Sequence, residues 1–273
     1  MKQNAKKKLL IIFSIFLVIV LLIVLGSTVF TLQKASLVFL RFDESSGETL
    51  YADAPEIYSD LTGEKLIADF KGKSIFFLSG KKFISQTESR YPYLKVQGIN
   101  RLFPNFLEIF ATAREPVSVI SRDGVYYLLD SENFVLEAFN QPVTNFPALQ
   151  FSAYLNEAPA VGSRLKFKPE ASWLNDVSQI VFETLWQGGF DFVELPDLLD
   201  SVSVQALTEY YCLRLAFNTG AVLQINDPVS DLQRKIHAGW SVYASDEKDN
   251  TRFGTTIEVS EKDGKISTVV NVG

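Results

Sequence analysis

Hydrophobic and polar positions divide this chain into one long apolar block and a series of short alternating or periodic segments. The block runs from Leu9 to Gln33, LLIIFSIFLVIVLLIVLGSTVFTLQ, without a charged side chain in 25 positions. At ~1.5 Å rise per residue a helix of that length crosses a hydrocarbon core of ~30 Å with some tilt. A signal peptide is the competing reading. Its apolar region is usually ~7–15 residues and ends at a small-residue cleavage site. Here Gly26-Ser27-Thr28 lies inside the block, with Val29, Phe30 and Leu32 still to come. An uncleaved anchor fits better, and no polar stripe at helical spacing marks a buried core helix.

After the anchor the periods change. Ser36 to Phe42 reads as a strand and Asp43 to Thr49 as a loop. Asp53-Ala54-Pro55 predicts a helix start, with its end near Gly63. SIFFL at 74–78 is a short apolar segment. Ser79 or Gly80 opens a helix through Arg90, stopped by Pro92. Leu94 to Arg101 and Leu107 to Arg114 read as strands joined at Pro104-Asn105. Strand, helix, helix, strand, strand makes a compact module with one sheet face under two helices.

Short strands follow at Val117 to Ile120, Val125 to Leu129 and Phe134 to Glu137, with turn chemistry at Arg122-Asp123-Gly124 and at 130–133. Phe151 to Leu155 reads as a strand. Pro169 to Gln187 is the best soluble helix, with Trp173, Val177, Ile180, Val181 and Leu185 at i+3/i+4 spacing, ended by Gly188-Gly189. A strand is expected at Phe190 to Glu194, a hairpin from Leu207 to Asn226 and a helix from Ser230 to Ala238. A final hairpin joins Thr255 to Ser260 with Lys265 to Val272 through Lys262-Asp263-Gly264. The fold class is α+β: a single N-terminal transmembrane helix, a small α+β module and a β-rich domain with flanking helices.

Charge gives the anchor a direction. Lys2, Lys6, Lys7 and Lys8 precede it with no acid, so the short end stays in the cytoplasm. They are four of the 26 basic residues, and all 32 acidic ones lie beyond, leaving a net charge of −10 there. Such a surface has no overall electrostatic reason to seek nucleic acid or an anionic membrane face.

Candidate chemistry is sparse. Cys212 and His237 are the sole cysteine and histidine, so no intrachain disulfide forms and no usual zinc site can be built. The pair could in principle serve as nucleophile and base of a membrane-anchored cell-wall enzyme. A small buried hydrophobe and an unrelated histidine is the plainer reading. Asp43, Glu44 and Glu48, and Asp246, Glu247 and Asp249, lie in polar loops and read as solvated surface. No P-loop, G-x-G-x-x-G or G-x-S-x-G occurs. The residues favour an interaction protein over an enzyme, with neither cofactor nor metal.

One stretch is more specific. Gly72, Ser74, Ile75 and Phe76 precede a helix. Pro92 breaks it. Arg101, Phe103, Pro104, Asn105, Leu107 and Ile109 lead to Arg114, Pro116 and Val117, then Leu129, Asp130 and Val135. This order resembles the FtsQ/DivIB family of bacterial cell-division proteins, as do the short basic tail and single anchor. Ala113 stands where the family has Glu, with Glu115 following, and Asn133 stands where it has Gly. By themselves, Phe103, Pro104 and Pro116 read as turn and packing residues.

The resemblance implies a cytoplasmic tail (1–8), the anchor (9–33), a POTRA-like domain (34–116) and a β domain (117–273). It implies a non-catalytic scaffold at the division septum, single-pass with its bulk outside the membrane. The implied partners are FtsB/FtsL (DivIC-like) single-pass proteins and other divisome components. The family receives a partner strand on its C-terminal strands. Here that places docking on Lys265, Ile266, Ser267, Thr268, Val269 and Val270, residues that could equally form a paired inner strand. The motif residues Gly72, Phe76, Arg101, Phe103, Pro104, Arg114, Pro116 and Asp130 are expected to be structural. A POTRA-bearing envelope assembly factor is the remaining alternative.

Overall fold

The structure is a computed structural model that describes residues 13–21, 23–24, 29–43, 48–187, 195–245 and 254–272. The chain divides into two compact units, Met1–Ala113 and Arg114–Gly273, both of mixed α+β structure. Residues 13–21, 23 and 24 are helical, with Phe13, Phe16, Leu17 and Leu21 exposed. The rest of the anchor segment up to Thr28 lies outside the described residues. Among the described residues no helix is long and apolar enough to cross a membrane.

The first unit holds a four-stranded sheet in the order β2-β1-β4-β3. Its strands are β1 (Lys34–Asp43), β2 (Glu48–Ala52), β3 (Leu94–Leu102) and β4 (Phe106–Ala113). β1 runs parallel to β4 and antiparallel to β2, and β3 is antiparallel to β4. β4 alternates as a half-covered strand should: Leu107, Ile109 and Ala111 are buried. Onto that face pack Leu66 of α1 (Gly63–Leu66) and Phe83 of α2 (Gly80–Arg90), with Ile67 and Phe70. Ser79 caps α2, its hydroxyl accepting from the Lys82 N–H at 3.4 Å.

Two expectations fail here. The region read as loop ends in β2, and the helix expected from Asp53 is replaced by a 3-10 turn (Glu56–Tyr58) and the four-residue α1. Gly63, expected to end a helix, begins one. A Cβ there would lie 2.6 Å from the Ala35 backbone, so the chain needs glycine to approach β1. Thr62 then caps α1, accepting from the Lys65 N–H.

The second unit is built on a nine-stranded sheet, β13-β12-β11-β10-β9-β8-β5-β6-β7. These are β5 (Ser118–Arg122), β6 (Val125–Leu129), β7 (Val135–Phe139), β8 (Ala148–Gln150), β9 (Leu199–Ala206), β10 (Tyr211–Phe217), β11 (Val222–Asn226), β12 (Thr255–Lys262) and β13 (Lys265–Val272). Three pairings are parallel, β5–β8, β8–β9 and β11–β12. Asp123-Gly124 and Asp263-Gly264 form the two-residue hairpin turns, all four residues at positive φ, as such turns require.

One face of this sheet is covered by α3 (Leu174–Gln187) and α5 (Leu232–Ser245), while α4 (Leu195–Leu198) leads into β9. Val177, Val181, Phe182 and Leu185 of α3 and Ile236, Trp240 and Tyr243 of α5 share one core with Leu213, Leu215, Phe217, Leu223, Ile257 and Val259. Tyr243 stacks on Phe217 at 4.2 Å between centroids. Gly239 was expected to lie beyond a helix end. It sits inside α5 because a Cβ would come within 2.2 Å of Leu223, so the glycine serves close packing on the sheet. Lys235, fully buried, spends its ammonium on the Asp227 carbonyl (2.8 Å), Ser230 Oγ (3.0 Å) and Glu261 (3.4 Å).

Other differences are local. Phe151 to Leu155 forms a 3-10 turn after β8 rather than a strand. β9 lies in a stretch with no expected element, because Asp200, Ser201 and Ser203 dilute its apolar signal. The strand expected at Phe190 to Glu194 lies outside the described residues, as do Glu44, Asp246, Glu247 and Asp249.

Candidate functional site: an open sheet edge

β13 closes one end of the large sheet. Among the described residues it pairs only with β12, in register from Lys265 opposite Lys262 to Val272 opposite Thr255. Among the described residues no strand lies along its other side. Residues directly opposite in an antiparallel pair share a face. Ile257 and Val259 are buried toward the helices, so Val270, Thr268 and Ile266 lie on that side, and Val269, Ser267 and Lys265 face the other way. Ile266 packs partly on the core. Val269 and Val270 are 52% and 43% exposed.

Natural edge strands are usually blunted by charge, proline, brevity or a covering loop. β13 is KISTVVNV, with Lys265 its only charge and eight residues of length. The opposite end of the sheet behaves differently. β7 has five residues, and residues 162–163 meet its first one: the Gly162 N–H donates to the Val135 carbonyl and the Val135 N–H to the Ser163 carbonyl, both at 2.9 Å. The β7 edge is therefore short and met by the chain at Val135, whereas among the described residues no strand pairs with the outer side of the longer β13.

The motif residues fall into three places. Gly72 adopts φ 81° and its N–H bonds the Leu32 carbonyl at 2.8 Å. Arg101 donates to the Leu78 carbonyl at 2.5 Å, fixing the SIFFL segment to the end of β3. Phe103 and Pro104, joined by a cis peptide, make the β3–β4 turn. Phe103 is 55% exposed and stacks on Phe76 at 5.0 Å, so neither is a core residue. Pro116 is half-buried, two residues before β5.

Arg114 and Asp130 were separate positions in the sequence; the fold makes them one buried ion pair. Arg114 Nη1 is 2.5 Å from Asp130 Oδ2 and 3.4 Å from Glu132 Oε2, and its guanidinium lies 4.1 Å over the Phe134 ring. Asp130 Oδ1 also accepts the N–H groups of Glu132 (2.9 Å) and Phe134 (2.8 Å). Burial pushes the Asp130 carboxyl above its ordinary value, against the pull of Arg114. Asn133, at φ 59°, takes the turn position where glycine was expected and adds a clamp: Nδ2 donates to the Asn175 carbonyl at 2.9 Å, and Ser178 Oγ donates to Oδ1 at 2.7 Å. Glu132 also pairs with Arg164 at 2.5 Å. Neither Arg164 nor the Asn133–Ser178 bond carried any sequence signal, because both span more than thirty residues of chain.

The Cys212–His237 pair does not assemble. Cys212 alternates out of phase with the core residues Leu213 and Leu215, so it lies on the face away from α5, whereas His237 is exposed on α5. Burial raises the thiol pKa, the wrong direction for a nucleophile at neutral pH. Among the described residues no three His, Cys, Asp or Glu side chains group as metal ligands. A surface hollow of about 420 Å³ is lined by Trp173, Ile180, Pro228 and Leu232. Two of its charges, Asp231 and Arg234, pair with each other at 2.9 Å.

No protein-family model and no curated protein sequence matches this chain. Among solved structures it is similar to the major extracytoplasmic domain of the trans isomer of the bacterial cell division protein DivIB from Geobacillus stearothermophilus. The two are 11% identical, over 50% of this chain and 96% of that one, with a TM-score of 0.29. A superposition at that score does not establish a shared fold.

Proposed function

We propose that this chain is a non-catalytic, membrane-tethered scaffold of the bacterial division machinery that binds partner proteins by strand addition on β13. The observation that carries the reading is the eight-residue, nearly uncharged edge of β13, along which no strand pairs among the described residues. Unpaired N–H and C=O groups along such an edge accept an extended segment, and alternating side chains select it. The motif order from Gly72 to Val135, which resembles FtsQ/DivIB, names the partner class: FtsB/FtsL-like single-pass proteins. The first unit is then the POTRA-like domain and the second the β domain, outside the cell membrane and at the septum.

Tethering follows from the block at 9–33 and the lysines before it. Its described helical residues expose Phe13, Phe16, Leu17 and Ile23, an apolar surface that water does not favour. A tether suits strand addition because confining both partners to one membrane raises their effective concentration. The test is capture of FtsB/FtsL-like ectodomains by the full chain in detergent. Val269→Pro and Val269→Lys are expected to lose binding while the chain keeps its native circular dichroism. Undiminished capture by both variants would remove β13 as the docking edge. Even spread of a tagged chain over the dividing cell's membrane would remove the septal role.

A further inference from the structure

The first unit carries an exposed aromatic cluster that the docking edge does not use. Phe30, Phe76 and Phe103 lie together: centroids are 5.1 Å apart for Phe30–Phe76, 5.0 Å for Phe76–Phe103 and 6.4 Å for Phe30–Phe103. Beside them Phe77 is 90% exposed, and Leu102 and Val29 are also exposed. Burial does not explain these residues, since the core of this unit is a separate cluster around Phe83, Leu107 and Ile109.

The cluster is bonded directly to the end of the apolar block. The Ile75 N–H donates to the Phe30 carbonyl (2.9 Å), the Leu32 N–H to the Lys73 carbonyl (2.9 Å) and the Gly72 N–H to the Leu32 carbonyl (2.8 Å). Residues 30–32 thus form a short antiparallel ladder with 72–75, so the last residues of the apolar block are bonded into the unit. Counted from Leu9, ~20 residues span the hydrocarbon core and end near Thr28. Phe30 follows within the same apolar block, at the end that meets the interfacial layer of ~5–7 Å. Its ring partners must lie at the same depth. The segment that presents Phe76 and Phe77, from Lys71 to Lys82, holds four lysines and no acid, in a region of net charge −10. Aromatic rings flanked by lysine suit the boundary between acyl chains and anionic headgroups.

We infer that Phe76, Phe77 and Phe103 form a second membrane contact, resting on the outer lipid surface and fixing the orientation of the first unit. The inference rests on the tethered reading above. A lipid surface turns an anchor that permits rotation into one with two points of contact, so the unit is held at a set tilt.

The experiment uses the full chain in phosphatidylcholine–phosphatidylglycerol vesicles. A single cysteine is introduced by Phe77→Cys and, separately, by Tyr51→Cys, and labelled with an environment-sensitive fluorophore. Cys212 is buried and leaves the unaltered chain unlabelled. Tyr51 is 82% exposed and pairs with Leu40, six residues and about 20 Å along β1 from the aromatic end. Lipids carrying a nitroxide at a shallow acyl position are expected to remove most of the emission at position 77 and little at 51. Equal, weak quenching at both positions overturns the inference while leaving the tether intact, provided the chain floats with the vesicles after alkaline washing. Failure to float overturns tether and inference together. Protection at 77 that appears only at high protein-to-lipid ratio assigns the patch to a second copy of the chain and also overturns it.

Discussion

Arg114→Ala is expected to cost the second unit about 3–5 kcal/mol, the usual penalty for stranding one partner of a buried ion pair. The side chains of Arg114 and Asp130 are 3% and 6% exposed, so solvent screening does not reduce the figure. The charge-assisted bond to Asp130 accounts for about 2 kcal/mol, and the guanidinium over Phe134 for about 1. The remainder is the carboxylate left in an apolar site. Glu132, at 3.4 Å, contributes less and retains Arg164. Asp130 Oδ1 would still accept its two backbone N–H groups, so Arg114→Met with Asp130→Asn removes both charges and keeps the cap. That double variant is expected to recover most of the loss.

The pH dependence has a definite sign. Burial holds the folded Asp130 carboxyl above the ordinary 3.8 despite Arg114. A carboxyl so raised contributes stability that is present below the unfolded value and lost as pH rises through the folded one. Removing Arg114 deletes the main opposing pull, so the Arg114→Ala penalty should shrink toward pH 4 and grow toward pH 7. Urea unfolding followed by tryptophan emission reads the right region, because Trp173, Trp186 and Trp240 all lie within Arg114–Gly273. A loss below about 1 kcal/mol at pH 7, or a double variant no better than the single, would refute the buried-pair argument.

Two further outcomes test the packing. Gly239→Ala should destabilise the second unit by about 1–3 kcal/mol, the range for overpacking, because its methyl group would meet Leu223 and Val259; an unchanged urea midpoint would contradict that approach of α5. Cys212 should resist alkylation in the folded chain and react fully in denaturant, since it is 1% exposed with a raised thiol pKa; rapid labelling of native protein would reopen the nucleophile reading.

The sequence by itself determined what depends on neighbours along the chain. The α+β class, the core phase of α3 and the Asp-Gly hairpin turns follow from periods and turn residues. It also held the motif order that names the family it resembles. What it could not decide were matters of long-range placement. Gly63 and Gly239 look like helix ends in one dimension, yet both mark a close approach to a strand far away in sequence. Arg114 and Asp130 become a pair, and Cys212 and His237 fail to, because pleat and topology assign faces that no spacing encodes. The edge position of β13 depends on the order of all nine strands. Only the tertiary structure sets Phe76 and Phe103 against Phe30, making an exposed patch from residues that read as an apolar run and a turn.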